Sequence, residues 1–125
     1  MIETLRKYFP QLDDKKLMAY KGIVPVYEDW NSKINVVSRK DISNLFEHHI
    51  LHSLAIAKVV NFPEKAKVLD VGTGGGFPGI PLAIMFPDTE FTLIDSIGKK
   101  LTVANAALKV AELENVETIH RNAIE

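Results

Sequence analysis

The chain has 125 residues, a formal net charge of −1 and no cysteine. Its length suits one domain, or one domain with an appendage, and the lack of cysteine excludes disulfides and thiolate metal sites. A near-zero charge does not indicate a nucleic-acid-binding protein, although a local basic patch remains compatible with it. Residues 1–11 lack the apolar core of a signal peptide and no apolar run is long enough to span a bilayer, so we expect a cytoplasmic protein with no membrane partner.

Residues 1–62 form a predicted helical region. Apolar residues recur there at three- and four-residue spacing, which places them on one helix face: Leu17, Tyr20, Val24, Tyr27 and Trp30. Pro25 lies inside this pattern and is expected to kink or interrupt the helix. Asp41 is a suitable N-cap for a second helix that we expect to run to about Val60.

Residues 63–125 have a different rhythm, in which short apolar runs alternate with helical patterns. We predict strands at 68–71, 91–95 and 116–120, and helices at 78–86 and 97–111. Strands that alternate with helices indicate right-handed crossovers and a parallel sheet. The sequence therefore predicts an α/β fold preceded by a helical region.

Five glycines are concentrated in the phrase VLDVGTGGGFPGIP, directly after the first predicted strand. Gly74, Gly76 and Gly79 match the dinucleotide-binding fingerprint, which would indicate a nicotinamide oxidoreductase. Asp70 argues against this interpretation, because a carboxylate is unfavourable beside a pyrophosphate; it can instead support the loop or face a cationic ligand group. The phrase LDVGTGGG resembles the first motif of class I methyltransferases, which bind S-adenosylmethionine. A tight turn without any ligand is the third interpretation.

Asp95 ends the second predicted strand, about 20 residues after the glycines. An acidic residue at this position is placed to accept hydrogen bonds from ribose hydroxyls. The alternative, which is compatible with the first, is that Asp95 is the N-cap of the following helix.

Longer phrases resemble one bacterial family, glucose-inhibited division protein B, over residues 20–125. The phrases that carry the resemblance are YEDWNSKINVVSRKD, HHILHSLAI and DVGTGGGFPGIPLAIMFPDTEFTLIDSIGKK. The resemblance implies a Rossmann-like, S-adenosylmethionine-dependent methyltransferase that acts on guanine N7 of 16S ribosomal RNA or of the small ribosomal subunit. The cofactor-binding residues that it implies are Gly72, Gly74 and Phe77 for methionine and ribose, Asp95 and Ser96 for ribose, and Ala123 and Ile124 for adenine.

No catalytic acid or base is expected. Guanine N7 carries a free lone pair, so its attack on a sulfonium methyl group requires alignment of the reacting atoms and no prior removal of a proton. The sequence correspondingly lacks cysteine and shows no obvious acid–base pair.

Two histidines depart from the family's pattern. His48 replaces an arginine and His52 an aspartate, whereas His49 is retained. His48 and His52 are four residues apart on a predicted helix, a spacing compatible with a metal pair. No third ligand is evident, so we expect surface histidines and no metal site.

Basic residues near the expected site are candidates for contacts with RNA phosphates: Lys33, Arg39, Lys40, Lys99, Lys100 and Arg121. A solvated surface is the alternative for each of them. Tyr20, Tyr27 and Trp30 can stack on bases, but their helical spacing favours a position in the core.

Three strands are fewer than the methyltransferase fold requires, so we expect this chain to be a fragment of a longer protein. In the usual strand order 3-2-1-4-5, the first strand would then lie at an exposed edge. A fragment that binds cofactor or RNA without turnover is therefore the alternative to an active enzyme.

Overall fold

The computed structural model describes residues 1–122 of the chain, and within them a helical region precedes a three-stranded sheet. The helical region contains α1 (Ile2–Tyr8), α2 (Asp14–Asn31), α3 (Arg39–Ile42), a π-helical turn (Phe46–Leu51), α4 (His52–Leu54) and a 3-10 turn (Ala55–Lys58). The remainder contains β1 (Lys67–Val71), α5 (Gly79–Met85), β2 (Glu90–Asp95), α6 (Gly98–Val110) and β3 (Val116–His120).

The three strands are parallel and lie in the order β1-β2-β3. In this register Asp70 lies opposite Leu93, and Leu93 lies opposite Thr118. The predicted α/β fold is confirmed: β3 has the predicted bounds, and β1 and β2 each begin one residue earlier than predicted. Because β2 is central, β1 lies at one edge of the sheet, as the sequence predicts.

Helices α5 and α6 cover the same face of the sheet. A Cβ atom on Gly79, the first residue of α5, would overlap Leu93 of β2. Thr118 of β3 donates a hydrogen bond to Asn105 of α6 (2.9 Å), and Thr118 shares the face of Leu93. On the opposite face of β1, Leu69 is 59% exposed, so this side of the sheet has little cover among the described residues.

Helix α2 is continuous from Asp14 to Asn31 and passes through Pro25, so the expected interruption is wrong. Proline removes one backbone donor and usually weakens a helix interior. Here Tyr20 and Tyr27, on either side of Pro25, are fully buried and each donates a hydrogen bond to backbone carbonyl groups outside the helix. Tertiary packing therefore holds the helix across the proline.

The single helix predicted from Asp41 to about Val60 is also wrong. Ser38 is the N-cap, and its hydroxyl accepts a hydrogen bond from the Asp41 backbone N–H (3.1 Å). Helix α3 ends after one turn, where Ser43 donates its hydroxyl proton to a backbone carbonyl group. Serine side chains that bond to the backbone in this way compete with a continuing helix, and a turn at residues 43–44 separates α3 from the helical structure that follows.

One hydrophobic core joins the helical region to the sheet layer. Fully buried members include Tyr20 and Ile23 of α2, Ile80 of α5, Leu93 of β2 and Val103 of α6. The glycine loop between β1 and α5 is therefore packed between the carboxyl edge of the sheet and the helical region.

Candidate functional site

Gly72 and Gly74 are the two glycines with open space where a side chain would lie. Their φ angles are +73° and +61°, which L-amino acids with side chains rarely adopt. A Cβ atom built on either residue would meet no other atom within 4 Å. The backbone there is exposed to approach by a ligand, at the end of the sheet where ligands bind in parallel α/β folds.

The other loop glycines are required for packing. A Cβ atom on Gly75 would lie 3.0 Å from the Cβ of Val36. On Gly76 it would lie 2.5 Å from a methyl carbon of Ile80, and on Gly79 it would overlap Leu93. The glycine run therefore serves two separate needs, ligand access and close packing, which the fingerprint spacing alone does not distinguish.

Asp70 supports the loop from the end of β1. Its Oδ2 atom accepts hydrogen bonds from the Thr73 hydroxyl (2.7 Å) and from the Gly79 backbone N–H (3.0 Å). Burial raises the pKa of Asp70 above its ordinary value; the bonds from Thr73 and Gly79 oppose this shift, and the charge of Asp95 adds to it. The carboxylate therefore holds the first turn of α5 against the loop.

Asp95 connects the second strand to the loop. The residue is 8% exposed. Its Oδ2 atom accepts a hydrogen bond from the Gly74 N–H and its Oδ1 atom accepts one from the Ile97 N–H, both at 2.8 Å. Helix α6 begins at Gly98 with Ile97 at its N-cap position and no side-chain cap, so the N-cap interpretation of Asp95 is wrong. The structure thus joins Gly74 and Asp95, two residues that the sequence proposes for the same cofactor.

Phe77 faces the helical region. Its ring centroid lies 4.8 Å from that of Tyr27 and 5.3 Å from that of His49. The Tyr27 hydroxyl donates to the Gly75 carbonyl group (2.6 Å). Tyr27, His49 and Val36 therefore contact the loop, a role that the helical periodicity does not reveal because it predicts burial and not the contact partner.

The chain after β3 returns to the same site. The Arg121 backbone N–H donates to the Asp95 carbonyl group (3.0 Å), and Ser96, which is exposed, accepts at its carbonyl group a hydrogen bond from the His120 ring (3.0 Å). Ala123 and Ile124, which the resemblance assigns to adenine, lie outside the described residues.

The basic candidates divide between two places. Lys99 and Lys100 begin α6 and Arg121 follows β3, so these three residues lie at the edge of the sheet that carries Asp95. Lys33, Arg39 and Lys40 belong to the helical region, where Lys33 pairs with Asp29 (3.9 Å) and lies over the Trp30 ring. Whether any of them contacts RNA stays a prediction.

The aromatic candidates are resolved by burial. Tyr20 and Tyr27 are completely buried, so the core interpretation is confirmed for both, and base stacking by these two rings is wrong. Trp30 is half-buried and packs against the core.

Asp41 is the partner of two neighbouring histidines. His48 Nδ1 lies 3.1 Å and His49 Nε2 lies 3.7 Å from the two carboxylate oxygens of Asp41. The hydrogen bond with His48 is the main cause that lowers the pKa of Asp41, whereas burial lowers the pKa of His49. Within residues 1–122, no group of three histidine, aspartate or glutamate side chains is arranged to hold a metal ion, so the His48–His52 pair gains no third ligand.

Two grooves lie away from the glycine loop. A groove of about 490 Å³ lies beside the end of α2, and one of about 670 Å³ lies at the amino-terminal edge of the sheet. The residues that line these grooves do not belong to the glycine loop.

Across the part of the chain that the structure describes, no helix is long and apolar enough to cross a membrane.

Comparison with known proteins identifies similar chains over almost the whole sequence. The family model described as rRNA small subunit methyltransferase G (GidB) matches residues 14–125. Proteins named Ribosomal RNA small subunit methyltransferase G from Phocaeicola vulgatus and Bacteroides thetaiotaomicron are 54% and 55% identical over 124 residues, which is 99% of this chain. The chain spans 59% and 60% of the length of these two relatives.

Among solved structures, the YcgJ protein from Bacillus subtilis is similar, with a TM-score of 0.50 and 25% identity. The match covers 60% of this chain and 32% of that one.

Proposed function

The chain belongs to the GidB family of rRNA small subunit methyltransferase G proteins, and from that premise we propose that it carries the cofactor-binding part of an S-adenosylmethionine-dependent methyltransferase. The proposed reaction is methyl transfer to guanine N7 of 16S ribosomal RNA, either free or in the small ribosomal subunit. Such a substrate implies a cytoplasmic site of action.

The observation that carries this proposal is that two glycines with open space at their side-chain positions lie beside a carboxylate fixed by hydrogen bonds. Gly72 and Gly74 present a bare backbone to open space, and Asp95 is bonded to Gly74 itself. Each Asp95 oxygen accepts one backbone N–H, and a carboxylate oxygen has a second lone pair that can accept a ribose hydroxyl. These residues fit a nucleoside whose attached chain crosses the glycines.

The nicotinamide interpretation is disfavoured by what occupies the start of α5. In dinucleotide folds the pyrophosphate binds the free N–H groups at the amino terminus of the helix that follows the glycines. Here the N–H of Gly79, the first residue of α5, is bonded to the Asp70 carboxylate. A pyrophosphate at this position would meet a like charge and lose one of its donors.

The chemistry divides simply between cofactor and protein. When bound, S-adenosylmethionine supplies a methyl group on a sulfonium sulfur, which the N7 lone pair attacks without prior removal of a proton. We assign the cofactor's methionine and ribose part to Gly72, Gly74 and Phe77, its ribose hydroxyls to Asp95 and Ser96, and its adenine to Ala123 and Ile124. The protein's contribution is to align the reactants and exclude water.

RNA phosphates are assigned to the basic residues at the same edge of the sheet, Lys99, Lys100 and Arg121. Lys33, Arg39 and Lys40 are assigned to a second contact from the helical region. Phosphate contacts of this kind fix the register of the RNA and do not read its sequence.

Calorimetric titration with S-adenosylhomocysteine, in parallel with NAD, tests the cofactor proposal. We expect binding of S-adenosylhomocysteine and none of NAD. Binding of NAD alone would overturn the proposal. Because the chain spans about 60% of its relatives' length, methyl transfer to 16S RNA is a separate assay, and binding without turnover would identify a non-catalytic binding module.

A further inference from the structure

Helix α2 is attached to the loop and to α5 by side chains that donate to backbone carbonyl groups. Three such bonds follow each other in antiparallel order: Lys16 to Met85 (3.2 Å), Tyr20 to Pro81 (2.8 Å) and Tyr27 to Gly75 (2.6 Å). The first two end on α5. The third ends inside the glycine loop, which places α2 in direct contact with the candidate site.

Tyr27 holds the loop by its ring as well as by its hydroxyl. The Tyr27 ring packs against Phe77 at 4.8 Å between centroids. Val36, positioned by hydrogen bonds from the Val36 and Val37 N–H groups to Asn31 Oδ1, lies so close to Gly75 that a Cβ there would be at 3.0 Å from it. The loop therefore has a tightly packed outer side.

The inner side of the loop is held at Gly74, one residue before Gly75. Gly74 donates its N–H to Asp95, and the carbonyl group of the following residue, Gly75, accepts from Tyr27. Opposite ends of the Gly74–Gly75 segment are thus fixed by groups from opposite directions, the sheet and the helical region. A glycine-rich segment has many accessible conformations when it is free. The two hydrogen bonds therefore substantially reduce the conformational entropy that the loop must lose when a ligand binds.

We propose that Tyr27 is a positioning residue for the cofactor loop, acting from outside the site through Gly75 and Phe77. This inference rests on the proposed function, because its consequence concerns cofactor affinity. Tyr27 would change that affinity through the loop, without touching the cofactor. Removal of the hydroxyl leaves the Gly75 carbonyl group without its donor and allows the segment that carries Gly74 to move. Burial raises the pKa of Tyr27 far above its ordinary value, so the hydroxyl remains a donor at neutral and moderately alkaline pH.

Tyr20 provides a matched control on the same helix. It is as deeply buried as Tyr27 and its hydroxyl makes the same kind of bond, but to Pro81 within α5. Tyr20→Phe and Tyr27→Phe therefore remove equivalent groups from the core, and only Tyr27→Phe removes a contact with the loop. A purely structural role would affect both variants alike.

The test combines amide hydrogen exchange of the peptide that contains residues 72–77 with calorimetric titration of S-adenosylhomocysteine. The Gly76 and Phe77 amides donate to the Thr73 carbonyl group, so their exchange reports on the shape of the loop without any ligand. For Tyr27→Phe we expect exchange there to accelerate, and affinity to fall, by about five- to tenfold, the factor that corresponds to one hydrogen bond. Tyr20→Phe should change both by less than about twofold.

Equal loop exchange in the two variants would overturn the inference. If the unaltered chain does not bind S-adenosylhomocysteine but loop exchange still differs, the proposed function fails while the positioning by Tyr27 stands. If it binds and Tyr27→Phe binds equally well, the positioning role fails alone. Should Tyr27→Phe not fold, Val36→Ala, which loosens the contact on Gly75, must produce the same loop-specific acceleration.

Discussion

Replacement of Asp95 is predicted to weaken the fold and the candidate site together. Asp95 is 8% exposed, and its carboxylate accepts two backbone N–H groups at 2.8 Å each, from Gly74 and Ile97. A hydrogen bond to a charged group contributes about 1.5–3 kcal/mol, so the loss of both in Asp95→Ala should cost about 3–6 kcal/mol. Asp95→Asn keeps one acceptor oxygen and should cost about half of this.

Urea denaturation followed by the fluorescence of Trp30 measures this cost. With a typical dependence of about 2 kcal/mol per molar urea, the midpoint of Asp95→Ala should fall by about 1.5–3 M and that of Asp95→Asn by about half as much. Asp88→Ala is the matched control, because Asp88 is an exposed aspartate just before the same strand. Affinity for S-adenosylhomocysteine should decrease in the same order as the midpoints. An Asp95→Ala midpoint indistinguishable from that of Asp88→Ala would refute the reasoning, since the two bonds would then carry no stability.

Four further substitutions test the loop and the first strand. Gly74→Ala should reduce S-adenosylhomocysteine binding and cost about 1–2 kcal/mol of stability, because the φ angle of Gly74 is positive. Gly79→Ala, whose Cβ overlaps Leu93, should lower the urea midpoint clearly more. A larger loss of stability in Gly74→Ala than in Gly79→Ala would contradict the assignment of Gly74 to ligand access and of Gly79 to packing. Asp70→Asn should be more stable than the unaltered chain at pH 7, because burial raises the folded-state pKa of Asp70 and its ionisation therefore opposes folding above that pKa. The difference in urea midpoint should disappear as the pH falls below the ordinary range of aspartate, and a difference that persists in acid would have another cause. Leu69→Lys on the exposed face of edge strand β1 should reduce self-association measured by light scattering, and unchanged scattering would show that this face of β1 is not the contact.

The sheet and its crossovers were predictable because their signals are local. Short apolar runs bounded by glycine, proline and asparagine define the strands, and β3 lies at its predicted residues 116–120. The helical region was not predictable at the same level. Whether Ser38 or Asp41 caps α3, and whether α2 survives Pro25, depends on competing hydrogen bonds and on tertiary packing, which are absent from a periodicity argument.

The candidate site was likewise only partly predictable from the sequence. Gly74 lies in the loop that follows β1, and Asp95 ends the neighbouring parallel strand β2, so their proximity follows from topology. The bond between Tyr27 and Gly75 joins residues 48 apart in sequence, and helical spacing indicates only that Tyr27 is buried. The contact partner requires the three-dimensional packing of α2 against α5, for which the sequence contains no local signal.

The loop is consequently part of the core rather than a flexible connection on its surface. Its contacts come from 21 residues later in the chain, through Asp95, and from 48 residues earlier, through Tyr27. Both partners are buried, so the loop can change shape only if one of these buried contacts opens. A ligand that binds the ordered loop therefore stabilises the helical region and the sheet together, because binding to the folded state alone shifts the whole unfolding equilibrium. We therefore propose that the helical region contributes to cofactor affinity through its packing against the loop.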